Sequence, residues 1–252
     1  MVISGANRGS SRALSSPPEL FGPSAVMCSE RVQQSLQRRY QMLQTEGFNC
    51  KHPHLITWFF YMLCKHPLIQ EKVAAEVKVA TKSEGSKNDI AGFALSLSDE
   101  VIGKMQYLHA AITETLRLYP AVPVEGKRAV EDDVLPDGFE VKMGDRVNYI
   151  SYAMGRMNYL WGEDAEVFHP ERWLEDGVFK PESPFKFVSF NAGPRICFGK
   201  EFAYKQMKIM AATILHFFKF KLEDESKTDK YRTMFTLQIQ DGLPLLAFHR
   251  SN

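Results

Sequence analysis

From Leu55 to Cys64 every position except Thr57 is apolar. Periodicity cannot assign such a run, but its length and its stop near His66-Pro67 predict the end of a buried helix over Leu55–Lys65. The pattern then turns amphipathic: Ile69, Val73 and Val77 are spaced by four, which predicts a helix over Leu68–Ala80. Lys82–Asp89 is polar and reads as a loop. Ser98 or Asp99 can cap the next helix, with Glu100 in its first turn. Its later part, Tyr107–Tyr119, carries Leu108, Ile112 and Leu116 on one face and ends at Pro120. A last long helical pattern runs from about Lys200 to Phe220.

Short strand patterns lie between these helices. Gly138–Lys142 and Arg146–Ile150 flank Met143-Gly144-Asp145 and predict a hairpin. Residues 174–189 read as a long irregular loop. Tyr231–Gln240 and Leu243–Arg250 flank Asp241-Gly242, a second hairpin pattern. The sum is a mainly α chain with small β-sheets, an α+β class. Ahead of it, residues 1–26 hold six serines, three prolines and one acidic residue, Glu19. That composition fits a transit peptide or a disordered tail. Ser29–Thr45 has helical character with few apolar anchors.

Composition narrows the function classes. The chain has 252 residues, 44% of them hydrophobic, enough to bury a substantial core. A net charge of +1 supplies no field that would draw it to nucleic acid or to an anionic membrane. The four cysteines, Cys28, Cys50, Cys64 and Cys197, have no paired spacing, which argues against a disulfide framework. No apolar run approaches the ~20 residues of a membrane span, so no anchor is read in this chain. Cys50, His52, His54, Cys64 and His66 superficially suggest zinc, but their spacings match no ordinary finger and Pro53 interrupts any ligand helix.

The chemistry concentrates in Phe190-Asn191-Ala192-Gly193-Pro194-Arg195-Ile196-Cys197-Phe198-Gly199. A loop cysteine just ahead of a helix feels the positive end of the helix dipole and free backbone N–H groups, which favour the thiolate. Glycines let a bulky flat ligand approach the backbone, and Arg195 offers a planar fork for an acid group. Together these describe a seat for haem.

The segment resembles the cysteine loop of the cytochrome P450 haem-thiolate monooxygenases, Phe-x-x-Gly-x-Arg-x-Cys-x-Gly, matched at Phe190, Gly193, Arg195, Cys197 and Gly199. The resemblance implies that Cys197 is the axial ligand of haem iron and that Arg195 binds a haem propionate. Lys127 or Arg128, in a stretch (Ala121–Arg128) like the family's haem-edge and pocket segment, would reach a propionate. The segment around Thr233–Leu237 would reach the substrate pocket. Glu114-x-x-Arg117 matches the family's helix motif, and Pro170-Glu171-Arg172-Trp173 is close to its Pro-Glu-Arg-Phe. Glu114, Arg117 and Arg172 would then form a buried structural network. The family's oxygen-activating acid–Thr pair should stand just before Leu55, where Thr45–His54 do not match it. Thr57 lies too late, so no catalytic residue is assigned.

The resemblance covers residues 55–252, which corresponds to the C-terminal half of a family member. Residues 1–54 do not match. The expectation is a chain whose N-terminal half is missing. Tyr152-Ala153-Met154-Gly155-Arg156, Trp161-Gly162 and Ala192-Gly193-Pro194-Arg195 are most similar to plant members that hydroxylate long-chain fatty acids. The implied activity is hydroxylation of such a lipophilic substrate with O2 and with electrons from NADPH through a reductase. Lys186, Lys200, Lys205 and Lys208 are a candidate docking face for that partner. Full-length relatives work at the cytosolic face of the endoplasmic reticulum membrane. The alternatives are a non-catalytic remnant that binds haem weakly or not at all, and a zinc-stabilised interaction module.

Overall fold

The computed structural model describes residues 53–81, 89–226, 230–233, 236–240 and 242–250. The expectations for residues 1–52, the loop 82–88 and the turn residue Asp241 lie outside them. Helix α1 (Pro53–Lys65) is followed at once by α2 (Pro67–Ala80). The break falls at His66, which leaves the helical region (φ −125°, ψ 72°) because the ring of the next residue, Pro67, disfavours it. Pro67 then opens α2 at a position where no N–H is needed. At this junction the fully buried Gln70 donates to the Leu63 and Phe220 carbonyls and accepts from the Phe220 N–H.

A short helix, α3 (Ile90–Ser96), was not legible in the sequence; Asp89 caps it by accepting from the Gly92 N–H at 2.7 Å. The single helix expected from Ser98 to Tyr119 is two, α4 (Asp99–Lys104), capped by Ser98, and α5 (Gln106–Leu118). Met105 breaks the ladder (φ −83°, ψ 79°) with its side chain fully buried. The Glu76 carboxylate of α2 accepts the Tyr107 and Leu108 N–H groups at 2.7 and 2.8 Å, so α5 starts without a preceding turn.

The strand pairings differ from those expected. Strands β1 (Glu125–Arg128), β2 (Asp133–Val134), β3 (Glu140–Val141) and β4 (Arg146–Tyr149) pair as β1–β4 and β2–β3, all antiparallel. The turn at 142–145 forms, with Asp145 N–H on the Lys142 carbonyl, but each flanking strand finds an upstream partner instead of the other. After the short helices α6 (Ser151–Met154) and α7 (Asn158–Trp161), a 3-10 turn at Pro170–Trp173 leads into β5 (Leu174–Glu175) and β6 (Val178–Phe179). Here the stretch read as irregular contains a hairpin, closed by Asp176 (φ 51°) and Gly177 (φ 79°). An Asp-Gly pair with two positive φ angles makes the turn that matches strand twist.

Helix α8 (Lys200–Phe217) ends earlier than expected, because Phe218, Phe220 and Leu222 alternate with Lys219 and Lys221 as strand β7 (Phe218–Leu222). Strands β8 (Tyr231–Thr233) and β9 (Leu237–Ile239) pair with each other, and β10 (Leu245–His249) returns to β7. The expected hairpin across Asp241-Gly242 is therefore replaced by two separate pairings. The main core packs Phe59 and Leu63 of α1, Val73 and Val77 of α2, Leu108, Ile112 and Leu116 of α5, and Met207 and Leu215 of α8. Each such side chain contributes roughly 1.5–3 kcal/mol by burial.

Candidate functional site

The cysteine loop is anchored at its ends and open in its middle. At the near end Ser189 Oγ donates to the Leu116 carbonyl of α5 at 2.9 Å, and Phe190 is buried. The Cys197 N–H donates to the Phe190 carbonyl at 2.7 Å, which closes the loop on itself. Asn191 and Gly193 both take φ of 61°, and the Tyr149 hydroxyl of β4 donates to Asn191 Oδ1. At the far end the Lys200 N–H donates to the Cys197 carbonyl, and α8 begins.

Between these anchors residues 193–198 are exposed. Cys197 carries a free thiol. Beside it Ile196 is 48% and Phe198 96% exposed, an apolar flank on either side of the sulfur. A Cβ on Gly193 would meet nothing within 4 Å, and one on Gly199 only the Cys197 Sγ at 4.0 Å. Arg195 has no carboxylate within ion-pairing distance among the described residues. A soft sulfur ligand, open glycine backbone, exposed apolar side chains and an unpaired guanidinium suit a flat apolar macrocycle with acidic substituents and a central iron. The residues present fit haem.

Lys127 and Arg128 are both exposed, on β1 opposite Val147 and Arg146. Neighbours on a strand project to opposite faces, so one of the two at most can serve the same ligand. Lys127 lies 4.0 Å from Glu125, whereas Arg128 meets only the Gly144 carbonyl among the described residues.

Glu114, Arg117 and Arg172 are brought together. Arg117 is 1% exposed and all five of its N–H donors are placed. Nε and Nη2 form a fork on Glu114 at 2.7 and 2.6 Å; the rest reach the carbonyls of Gly155, Ala165 and Val167. Glu114, fully buried, also accepts from the His169 N–H at 3.0 Å, Trp173 Nε1 at 2.8 Å and Arg172 Nε at 3.4 Å. Arg172 turns its outer nitrogens to Asp164, whose carboxyl that hydrogen bond holds below its usual range. The Trp173 indole and Asp164 were missed in the sequence. Trp173 stands where the family pattern has Phe, and that difference was the available clue. Gly155 is needed because a Cβ there would collide with the Arg117 carbonyl.

The two segments expected at a substrate pocket also meet. Leu237 N–H donates to the Ala121 carbonyl at 3.0 Å, and its carbonyl accepts from Trp58 Nε1 of α1 at 3.1 Å. Thr57 sits half-buried in α1.

The lysine docking face needs correction. Lys208 is buried, and burial lowers its pKa to about 8; Lys205 pairs with Asp99, and Lys186 pairs with Glu182 beside the Trp161 ring. The helix turns Lys208 inward toward Glu76, so the four lysines do not share one solvated face. Cys50 and His52 of the zinc reading lie outside the described residues. Cys64 is half-buried with its thiol pushed up to about 12 by burial, and no cluster of three or more metal-ligating side chains occurs among the described residues.

A sequence model of the cytochrome P450 family matches residues 54–245. Cytochrome P450 704C1 of Pinus taeda is 56% identical over 203 residues, covering 78% of this chain and 39% of the relative. Cytochrome P450 704B1 of Arabidopsis thaliana is 44% identical, covering 78% and 40%, and cytochrome P450 86B1 of the same plant is 44% identical, covering 78% and 35%. The chain thus spans about two fifths of the length of these relatives. With a family match across most of its residues, the chain belongs to the cytochrome P450 family.

Proposed function

We propose that this chain carries the haem-thiolate part of a monooxygenase that hydroxylates a long-chain fatty acid, residues 55–252 forming the haem-binding portion. The observation that carries the reading is the exposed Cys197 thiol, set in an open glycine loop beside Arg195, which meets no carboxylate among the described residues. Cys197 would ligate the iron and Arg195 would take one propionate; Arg128, free of the carboxylate that engages Lys127, is the better partner for a second. Haem held there would supply reductive activation of dioxygen, with electrons from NADPH through a reductase.

The chain's own residues orient and shield. Phe190 and Gly193 shape the loop, and the Cys197 N–H bond to the Phe190 carbonyl fixes the peptide that carries the sulfur. Ala121 and Leu237, joined by a backbone hydrogen bond, bring two pocket segments to one place beside Trp58. The fatty-acid assignment rests on the Tyr152–Arg156, Trp161-Gly162 and Ala192–Arg195 matches. We place the working protein at the cytosolic face of the endoplasmic reticulum membrane. Among the described residues no helix is long and apolar enough to cross one.

The test is reconstitution with haem and a plant reductase, following product from a long-chain fatty acid. Hydroxylated acid formed in step with NADPH consumption supports the reading. A thiolate-type haem without product would mark this chain as the haem-binding part alone and pass the substrate test to the same assay on a family member of full length. No haem uptake would leave the non-catalytic remnant.

A further inference from the structure

Four rings form a column that ends at the cysteine loop. Phe179 of β6 packs on His109 of α5 (4.1 Å between centroids), His109 stacks on Tyr204 of α8 (4.4 Å, 15° between planes), and Tyr204 packs on Phe190 (5.3 Å). Tyr204 is 3% exposed, and its hydroxyl lies 3.0 Å from Thr113 Oγ1. Thr113 has one hydroxyl hydrogen, and it goes to the His109 carbonyl at 2.8 Å. The Tyr204 hydroxyl is therefore the donor to Thr113. The ring is thus fixed at its tip, on one face and at its edge. Thr113 adjoins Glu114, and the Phe190 carbonyl accepts the Cys197 N–H.

We propose that Tyr204 is a positioning residue for Cys197: it locks Phe190, and through the Phe190 carbonyl the cysteine peptide, to the helix that bears Glu114 and Arg117. The proposal rests on the haem reading. Three features set Tyr204 apart from ordinary core packing. It lies seven residues after Cys197, on the helix that the loop launches. It alone among the column's rings touches Phe190. Its hydrogen bond ends on the residue next to the ionic network, so loop and network share one rigid reference. His109 stays a neutral stacking partner near neutral pH, since burial and then Lys208 and Lys200 lower its pKa to about 3.

The test uses the full chain loaded with haem, reduced and exposed to carbon monoxide. The readouts are the ratio of thiolate-type to non-thiolate-type absorption and the melting temperature. Wild type is compared with Tyr204→Phe, Tyr204→Leu and Phe93→Leu, the last a core truncation on α3 away from the loop. Tyr204→Leu is expected to convert most of the signal to the non-thiolate form, while Phe93→Leu loses stability and keeps the wild-type ratio. Tyr204→Phe, which removes only the hydroxyl, is expected to shift the ratio roughly fivefold, the size of one neutral buried hydrogen bond. If Tyr204→Leu does not fold, Tyr204→Phe decides alone. A wild-type ratio in Tyr204→Phe together with equal ratios in the two leucine variants overturns the positioning role. A wild type without any thiolate-type band overturns the haem reading instead, which separates the two failures.

Discussion

Two regions joined through α5 are built in opposite ways. Around Glu114 and Arg117, charges are taken wholly out of water, and each donor and acceptor finds a partner at close range. In the cysteine loop the backbone is anchored at Phe190 and at the start of α8, with one turn of its own between them (the Ile196 N–H on the Gly193 carbonyl), and Gly193 to Phe198 face outward. A saturated buried network has nothing left to offer a ligand. The open loop keeps a free thiol and an arginine that meets no carboxylate among the described residues, and it is held by its anchors, one short turn and the Tyr149 contact to Asn191. The first region sets shape, and the second is where we propose that the chemistry sits.

The largest effect that can break this contrast lies in the network. Glu114→Ala leaves the Arg117 guanidinium buried without its carboxylate, and is expected to cost roughly 3–5 kcal/mol in urea unfolding. A midpoint close to wild type would show that water reaches the site and that burial is not what holds it. Gly155→Ala is expected to be comparably harmful, because its Cβ would strike the Arg117 carbonyl.

A smaller effect follows from acid. The fold holds His109 neutral, its pKa lowered from 6.5 to about 3, first by burial and then by Lys208 and Lys200. Stability from this group is complete above its unfolded pKa and is lost as pH falls from 6.5 toward 3. By pH 5 the loss is about 2 kcal/mol. Glu76, whose carboxyl burial raises, works in the opposite sense and tempers the slope. His109→Phe is expected to flatten the pH dependence between 6.5 and 5; an unchanged slope would place it elsewhere. Smaller again, Trp173→Phe removes one donor to the Glu114 carboxylate at nearly constant volume, and is expected to cost about 1–3 kcal/mol.

The same contrast governs what could be read from the sequence. Cys197, Arg195 and the Glu114–Arg117 spacing stand in short local patterns, although the partners that complete the Glu114–Arg117 pair lie 38 to 59 residues away. The helices were legible wherever apolar spacing was long enough. Strand pairing was not, because β3 and β4 choose partners 6 to 24 residues upstream rather than each other. The break at Met105 is set by Glu76 from another helix. Asp164 and Tyr204 act through contacts between distant segments, and nothing in their local pattern marks them; Trp173 is marked only by standing where the family pattern has Phe. The Asp176-Gly177 pair is itself a turn signal, but a strand of two residues on either side gives almost no alternation to support a hairpin.

The central claim is that the open loop, not the buried network, binds the iron through Cys197. The direct measurement is the carbon monoxide difference spectrum of the haem-loaded, reduced chain, recorded for wild type and Cys197→Ser. Cys197 is exposed and its side chain bears no packing load, so the variant is expected to melt with wild type while losing the thiolate-type band completely. The same thiolate-type band in both proteins would contradict the account.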